Sequence, residues 1–561
     1  LEKIGGDILL EALLAQDGKI VYGLPGDHIL GIYDAFTRHK QIKPITVKHE
    51  SAASFMADAH FRCTGEPGIC IVTTGPGAAN AVNGIAQAYT ESSAVILICG
   101  QAPIKYWGKG SIHEIAHANN QAKIFEPITK KQLRIKNIAE IPWTIAEAYK
   151  TARSGRPGPV YIEIPMNVIE GKGNVRGYPQ AKVEEVKPDP RILDQAADIL
   201  IEAQLPIIYA GGGVNFSDAS KQLIELAECL DAPVVTTVNG KGSIPYDHPL
   251  HAGLGIGRAG DPEAISMIDK SDVMLAVGCR FDAIATWFWT LKAPKNLIHI
   301  DVDSNVIGRV YPTKVKIVSD AKLALSQLLR KIKRRAGIRK RKTRELIAKT
   351  KVEFRKQLKE QLKERKGYVN PVKFVYTLRD VLDRDAILTT DVGLNEFFMI
   401  DFPVYHPRSF LASAAYNSMG FGIPAAIAAK INHPEKTVIC VTGDGGFAMA
   451  GAEIATAVQN HAKIIIVIFN DKKYRILELL QSMRFKERYV ETDLYNPDFM
   501  KLAEAYDISY YKIQEDKQTK TVLGEALADN KLSLIDVVVD PTIVPPTLQR
   551  AIGRKYHNLK V

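Results

Sequence analysis

Two short segments near the carboxyl end of this 561-residue chain carry the residue types that a hard cation and a diphosphate need. One is Gly443-Asp444-Gly445-Gly446-Phe447 and the other is Phe469-Asn470-Asp471. A glycine turn lets backbone N–H groups approach phosphate oxygens, and Asp444 and Asp471, 27 residues apart, offer carboxylate oxygens to Mg²⁺. Gly-Asp-Gly is also ordinary turn chemistry, so the surrounding elements decide. Residues 438–442 read as a strand, 451–460 as a helix and 463–469 as a continuous apolar strand. Both aspartates then fall just beyond carboxyl ends of parallel strands, where open α/β sheets bind ligands.

A second group of candidates lies near the amino end. Lys48-His49-Glu50-Ser51 follows an apolar strand and opens an alanine-rich helix, so Glu50 reads either as a favourable first-turn acid or as a functional carboxylate. Thr74-Gly75-Pro76-Gly77-Ala78-Ala79-Asn80 follows the next strand, and Gly23-Leu24-Pro25-Gly26 follows the first. Glycine-bearing strand-to-helix turns repeated within one domain mark a ligand-binding edge. His113-Glu114-Ile115-Ala116-His117 fits the zinc pattern H-E-x-x-H, which requires both histidines on one helical face. The pattern fixes only three positions and no third ligand lies nearby, so the expectation is a loop without zinc.

The hydrophobic pattern supplies the scaffold. Residues 1–171 alternate helical stretches with strands at 20–23, 45–47, 69–73 and 95–100. A polar linker leads to a second unit, 190–330, with strands at 206–210, 233–237, 273–277 and 297–300. A third, 368–545, has strands at 386–389, 438–442, 463–469 and 534–538, and 546–561 form a tail. The expected fold is α/β, with three doubly wound parallel-sheet domains. The net charge of +11 is concentrated in residues 331–366, where 17 Lys and Arg face 4 Asp and Glu. That leaves the remainder near −2, so the basicity reads as a helical linker over 331–367, with Leu346, Phe354, Leu358 and Leu362 at loose helical spacing, rather than as a nucleic-acid site. Six scattered cysteines suggest buried free thiols. No apolar run approaches the roughly 18 residues of a membrane span, and Leu1 to Gly6 lack the form of a signal peptide, so a cytoplasmic protein without a membrane partner is expected.

Taken together, these segments resemble the thiamine-diphosphate-dependent enzymes, and among them the acetolactate synthase large subunits. The resemblance spans nearly the whole chain and is carried further by Gly155-Arg156-Pro157-Gly158-Pro159, Gly211-Gly212-Gly213-Val214, Gly278-Cys279-Arg280-Phe281-Asp282, His299-Ile300-Asp301-Val302-Asp303, Asp391-Val392-Gly393 and Met419-Gly420-Phe421-Gly422. It implies a pyrimidine-binding first domain, a central domain and a diphosphate-binding third domain, with thiamine diphosphate and Mg²⁺ as cofactors. Glu50 would face the pyrimidine, Met419 would be an apolar wedge under the bent coenzyme, and Pro25, Gly26, Pro76 and Asn80 would line the pyrimidine side. Val392, Gly393, Gly443, Gly445, Gly446 and Asn470 would line the diphosphate, and Asp444, Asp471 and the backbone oxygen of Lys473 would hold the metal. The family's Phe-Gln-Glu triplet aligns with Ile112-His113-Glu114, making His113 a proton-handling candidate with His117 as the alternative.

The implied reaction decarboxylates a 2-oxo acid such as pyruvate and condenses the remainder with a second carbonyl. Sites shared between subunits imply a homodimer or homotetramer, and a regulatory small subunit is a further implied partner. The chain departs from the family in four places, three of them in the third domain. Asp471 stands where asparagine is common, Leu394 replaces a glutamine, and 474–481 lack a tryptophan. The last two leave open a decarboxylase, pyruvate oxidase or 2-hydroxyacyl lyase; a non-catalytic regulatory subunit is the alternative from another class. FAD also stays open: Arg156, Gly212, Gly213, Arg280 and Asp301 match flavin-binding positions, yet Arg-Phe-Asp-Asp-Arg becomes Arg280-Phe281-Asp282-Ala283-Ile284.

Overall fold

A computed structural model of the protein describes residues 2–117, 120–335, 341–359, 362 and 364–552. Among these, three six-stranded sheets form, parallel throughout. In the first, β1 (Ile20–Gly23), β2 (Lys43–Thr46), β3 (Gly68–Val72), β4 (Val95–Gln101), β5 (Gln132–Arg134) and β6 (Val160–Pro165) lie in the order β2-β1-β3-β4-β6-β5. The second holds β7 (Pro206–Ala210), β8 (Val234–Thr236), β9 (His251–Leu254), β10 (Val273–Val277), β11 (Asn296–Asp301) and β12 (Val315–Val318), ordered β9-β8-β7-β10-β11-β12. The third contains β13 (Ile387–Thr390), β14 (Phe410–Leu411), β15 (Val438–Gly443), β16 (Ile465–Asn470), β17 (Ser509–Ile513) and β18 (Ser533–Val538), ordered β14-β13-β15-β16-β18-β17.

The first and third sheets therefore have one topology, and the central sheet has the order of a dinucleotide-binding fold. Every residue of β3 and β4 is buried, as expected of parallel strands covered on both faces. Each sheet has a switch in strand order, between β1 and β3, between β7 and β10, and between β13 and β15. The loops at these switches carry the glycine-rich turns singled out above, which is where such sheets accept ligands.

The twelve strands read from hydrophobic pattern are present to within a residue or two at their ends. Of the six strands of these three sheets that were not foreseen, five are sheet edges, such as Val315–Val318 with its alternating burial. The sixth, β6, is wholly buried but follows Pro157-Gly158-Pro159, which masks its start. One helix begins earlier than expected. Asp444–Ala450 is already helical, so Gly443-Asp444-Gly445 is a strand end and helix start rather than a free turn.

By compactness the described chain divides into two units. One comprises Leu1–Glu184 with Tyr416–Glu435 and Ala448–Ile464. Within it the helix Gly422–Asn432 packs on the helix Glu50–Thr64, with Phe421 edge-on to Phe55 at 5.9 Å and Arg62 over its face at 5.4 Å. The other comprises Glu185–Ala415, Lys436–Phe447 and Ile465–Val561, and holds the second and third sheets.

The basic stretch is two helices rather than one, Ala321–Lys333 and Thr343–Lys359. Lys331 reaches Asp194 at 2.7 Å, and Arg335 reaches Asp194 at 3.2 Å and Asp198 at 2.9 Å. Arg341 donates to the carbonyls of Ala203 (2.8 Å), Gln204 (3.0 Å) and Leu230 (2.5 Å), at the carboxyl ends of two helices where cations are favoured. Leu346 and Leu362 pack against apolar clusters, while Phe354 and Leu358 have side chains outside the described set.

Glu263 is a buried acid in the central domain whose Oε2 has no hydrogen-bond partner among the described residues. Burial, and then the charge of Asp261, push its pKa up to about 7. The native state thus keeps a proton that an unfolded glutamate loses near pH ~4.3. Stability from this group is complete below that pH and is lost as pH rises through about 7. Glu263→Gln should leave the melting temperature nearly unchanged at about pH 4 and raise stability by about 3 kcal/mol at about pH 8. A variant less stable than the parent at the higher pH would assign Glu263 a stabilising ionic contact instead.

Candidate active site

In the first unit, Glu50 is the first residue of the helix Glu50–Thr64. The preceding backbone is fixed from both sides: His49 caps the helix by accepting from Ser51 N–H, and the N–H groups of Lys48 and His49 donate to Glu453 Oε1 at 2.9 and 3.1 Å. A solvated first-turn acid would be exposed, but Glu50 is only 7% exposed. Asn80 Nδ2 donates to its Oε2 at 2.9 Å, and Oε1 lies 3.2 Å from where a Cβ on Gly77 would stand. One carboxylate oxygen is therefore held by the protein, and the other faces a glycine surface.

Around it stand the other turns of the same sheet edge. A Cβ on Gly26 would come within 2.5 Å of the Thr73 side chain, so the turn after β1 lies directly on the end of β3. Gly75 has φ +64° and donates its N–H to Gln121 Oε1 at 2.7 Å. Gln121 Nε2 donates to Gly100 O and Tyr161 Oη, both at 3.0 Å, and Tyr161 donates to Glu163, which pairs with Arg134 at 2.6 Å. None of this buried network was visible in the sequence, because its members lie on separate strands and loops. Pro76 opens the helix Pro76–Glu91, Pro25 is exposed ahead of Gly26, and Met419 is half-buried in the loop before Gly422–Asn432.

The segment 113–117 is not helical, with His113 and Ala116 both at positive φ. Its histidines therefore do not stand one turn apart on a helix face. Glu114 instead accepts N–H bonds from Gly108 (2.7 Å), Gly110 (3.1 Å) and Ser111 (3.1 Å), which hold its carboxyl below the usual range. The loop settles on the Gly75 turn, as His113 O lies 2.2 Å from the position of a Gly75 Cβ.

In the second unit, Asp444 follows β15 and is 3% exposed. Its Oδ1 accepts from Gly445 N–H at 3.0 Å, and its Oδ2 from Lys472 N–H at 2.6 Å and Asn496 Nδ2 at 3.0 Å. Burial still outweighs these bonds and raises its pKa. Asp471 is pushed up to about 6 by burial, opposed by Arg475 and raised further by the charge of Asp444. Arg475 Nε donates to Asp471 Oδ2 at 2.6 Å, which offsets one negative charge. Asn496 also donates to Asn470 Oδ1 at 3.0 Å, and Asn470 to Asp536 at 2.8 Å. Lys473 turns its ammonium away to Glu478 (2.5 Å) and Asp493 (3.2 Å). A Cβ on Gly446 would come within 2.8 Å of Asp391 Cγ, so neighbouring side chains exclude one there, and Gly393 has φ +145°, which the backbone reserves for glycine.

These residues fit a divalent cation bound with a diphosphate. Two buried carboxylates that disfavour each other's ionisation gain from a cation between them. Among the described residues no cluster of three or more His, Cys, Asp and Glu that could hold a metal ion is present; a cation bound here would take one or two carboxylates together with phosphate oxygens.

Flavin fits less well. The guanidinium of Arg156 is occupied by Ser92 Oγ and the carbonyls of Tyr89 and Thr90 at the end of Pro76–Glu91. A Cβ on Gly213 would stand 2.6 Å from Gly278 Cα, so these glycines serve close backbone packing; Gly212 lies similarly against Asn239. Arg280 pairs with Asp282 at 3.5 Å, and Asp301 accepts from Asp303 N–H at 2.9 Å. The six cysteines are free, five of them buried, and no described helix is long and apolar enough to cross a membrane.

Three family models match the chain. They are the N-terminal TPP binding domain of thiamine pyrophosphate enzymes over residues 3–123, the central domain over 193–328 and the C-terminal TPP binding domain over 391–537. The chain is 38% identical to a probable acetolactate synthase large subunit of Methanocaldococcus jannaschii, across 97% of this chain and 93% of that one. It is 35% identical to a probable acetolactate synthase large subunit of Methanococcus aeolicus (97% and 94% covered). Identity to the acetolactate synthase isozyme 3 large subunit of Escherichia coli is 32% (96% and 95% covered).

Proposed function

The chain belongs to the thiamine pyrophosphate enzymes, among the acetolactate synthase large subunits, and from that premise we propose its reaction. A 2-oxo acid such as pyruvate loses CO₂, and its remaining acyl carbon is joined to a second carbonyl compound. The observation that carries this reading is the pair of buried acids that each open a helix after a parallel strand: Glu50, after β2, held by Asn80 in one unit, and Asp444, after β15, held by three N–H donors in the other. Thiamine diphosphate, when bound, supplies the electron sink for decarboxylation. Glu50 holds a proton at the pyrimidine ring, against which Pro25, Gly26, Pro76 and Asn80 provide a close-fitting surface. Met419 supplies apolar support, and His113 holds a proton near the reacting carbon. Asp444, Asp471 and the backbone oxygen of Lys473 bind Mg²⁺, and Val392, Gly393, Gly443, Gly445, Gly446 and Asn470 orient the diphosphate. No step requires flavin.

Each site in this proposal draws Glu50 from one copy and Asp444 from another, in a homodimer or homotetramer, with a small regulatory subunit as a further partner. A soluble, cytoplasmic setting accords with substrates of this class. A second reading, release of an aldehyde or another product of the acyl carbon, is favoured by Leu394 at the start of the helix Leu394–Met399, a position that offers no polar group to an acceptor. The test is purified protein with pyruvate, thiamine diphosphate and Mg²⁺. The expected result is CO₂ release with acetolactate; acetaldehyde in its place, or hydrogen peroxide or acyl-CoA when FAD, O₂ and CoA are also supplied, would favour the second reading. No CO₂ and no ligated product would overturn the assignment of pyruvate.

A further inference from the structure

The turn that delivers Glu50 is held by one buried acid from a distant part of the sequence. β2 ends at Thr46, and Val47 N–H still donates to Gly23 O at 3.0 Å. The next two N–H groups, of Lys48 and His49, both donate to Glu453 Oε1, at 2.9 and 3.1 Å. Glu453 closes the short turn Gly451–Glu453, belongs to the same compact unit as Glu50, and is 2% exposed. Its other oxygen accepts from Thr456 Oγ1 at 2.6 Å, and that hydroxyl also lies 3.3 Å from Thr46 O. Gln459, three residues further along the helix Ile454–Gln459, accepts from Lys48 Nζ at 3.0 Å. Glu453, Thr456 and Gln459, spaced to share one helix face, thus follow the backbone from Thr46 to His49.

Taking a carboxylate out of water is unfavourable, and burial raises the pKa of Glu453 against the bonds from Thr456, Lys48 and His49. Two N–H groups at a helix entrance could be hydrated without that penalty. What the carboxylate adds is fixed geometry, because both bonds converge on one oxygen immediately before Glu50. His49 itself caps the helix at Ser51 N–H, so with residues 48 and 49 held the first turn has little freedom to rotate. Resting on the function proposed above, we propose that Glu453 is a positioning residue for Glu50, keeping its carboxyl in register with the coenzyme's pyrimidine through the backbone N–H groups of Lys48 and His49. It acts through the backbone and exchanges no proton with the ring. A misplacement of about 1 Å at a reacting group is enough to slow a reaction about 100-fold, so a grip loosened by one methylene is felt in turnover.

Two measurements test this on the full-length protein. Glu453→Asp keeps the charge and withdraws the oxygens, whereas Glu453→Gln keeps an oxygen in place and can donate its NH₂ to Thr456 Oγ1 while that hydroxyl turns to Thr46 O. In cofactor-free protein, the amides of Lys48 and His49 should exchange with deuterated water at least about tenfold faster in Glu453→Asp than in the parent protein, and within about threefold of the parent in Glu453→Gln. Unmoved exchange in Glu453→Asp would overturn the grip. In protein loaded with thiamine diphosphate and Mg²⁺, Glu453→Asp should lower kcat for CO₂ release about 30-fold, with KM for the 2-oxo acid within about threefold, and Glu453→Gln should recover most of that loss. On a Glu50→Gln background, Glu453→Asp should lower kcat by less than about threefold further, because the two residues act as one unit. The same loss with and without Glu50, or a Glu453→Gln as slow as Glu453→Asp, would overturn the assignment. If the parent protein releases no CO₂ from any 2-oxo acid, the proposed function fails, and the exchange rates still decide whether Glu453 holds the backbone before Glu50.

Discussion

Glu50→Gln should lower turnover of a 2-oxo acid by about 10²–10⁴-fold, the range removed with a positioned proton-handling group. The amide has nearly the volume of the carboxyl, and its oxygen can still accept from Asn80 Nδ2, as Glu50 Oε2 does at 2.9 Å. A neutral side chain is also easier to bury at a site only 7% exposed, so the fold should be at least as stable. The variant therefore isolates proton chemistry from structure. Coenzyme affinity should change little, because the diphosphate and metal contacts are assigned to residues around Asp444 and Gly446. Calorimetric titration of the coenzyme beside steady-state rates measures both quantities. Unchanged turnover in the variant would remove Glu50 from the chemistry and revive a non-catalytic role for the chain.

The sequence made Glu50 a candidate but could not decide between a first-turn helix acid and a functional carboxylate. Both readings describe the same position, and burial separates them, since burial depends on Gly77 and Asn80 arriving from another helix. Asp444 and Asp471 were legible because a glycine-flanked acid after an apolar strand reports local geometry directly. Their supports were not: Asn496 reaches Asp444 from 52 residues away, and Gln121 reaches Gly75 from 46 residues away. Arg475 stood four residues from Asp471 and was open to notice, but Lys472 at φ +59° breaks the helical spacing that would have suggested the pair. The interior strands were plain from continuous apolar runs, whereas edge strands such as Gln132–Arg134, nowhere fully buried, lack that pattern. Arg156 shows the converse: a motif residue whose guanidinium, once folded, is occupied by the carboxyl end of a helix.

Asp444→Asn should weaken Mg²⁺-dependent coenzyme binding by at least about 100-fold, whereas Asp471→Asn should weaken it by about tenfold or less. The difference follows from what each carboxylate touches. Asp444 accepts from Gly445 N–H, Lys472 N–H and Asn496 Nδ2, so all its protein neighbours are donors. An asparagine there must turn its own NH₂ toward at least one of them, which leaves buried donors facing each other and removes the charge that a cation needs. Asp471 already shares its charge with Arg475 at 2.6 Å, and an asparagine in its place keeps an oxygen for the metal while relieving repulsion with Asp444. Arg475 retains Glu478 as a partner in that variant, so no buried cation is stranded. Titrating each variant with coenzyme at a series of Mg²⁺ concentrations gives the two affinities directly. Equal affinity of Asp444→Asn and the parent protein would place the cation elsewhere, and a larger loss at Asp471 than at Asp444 would reverse which carboxylate is its principal ligand.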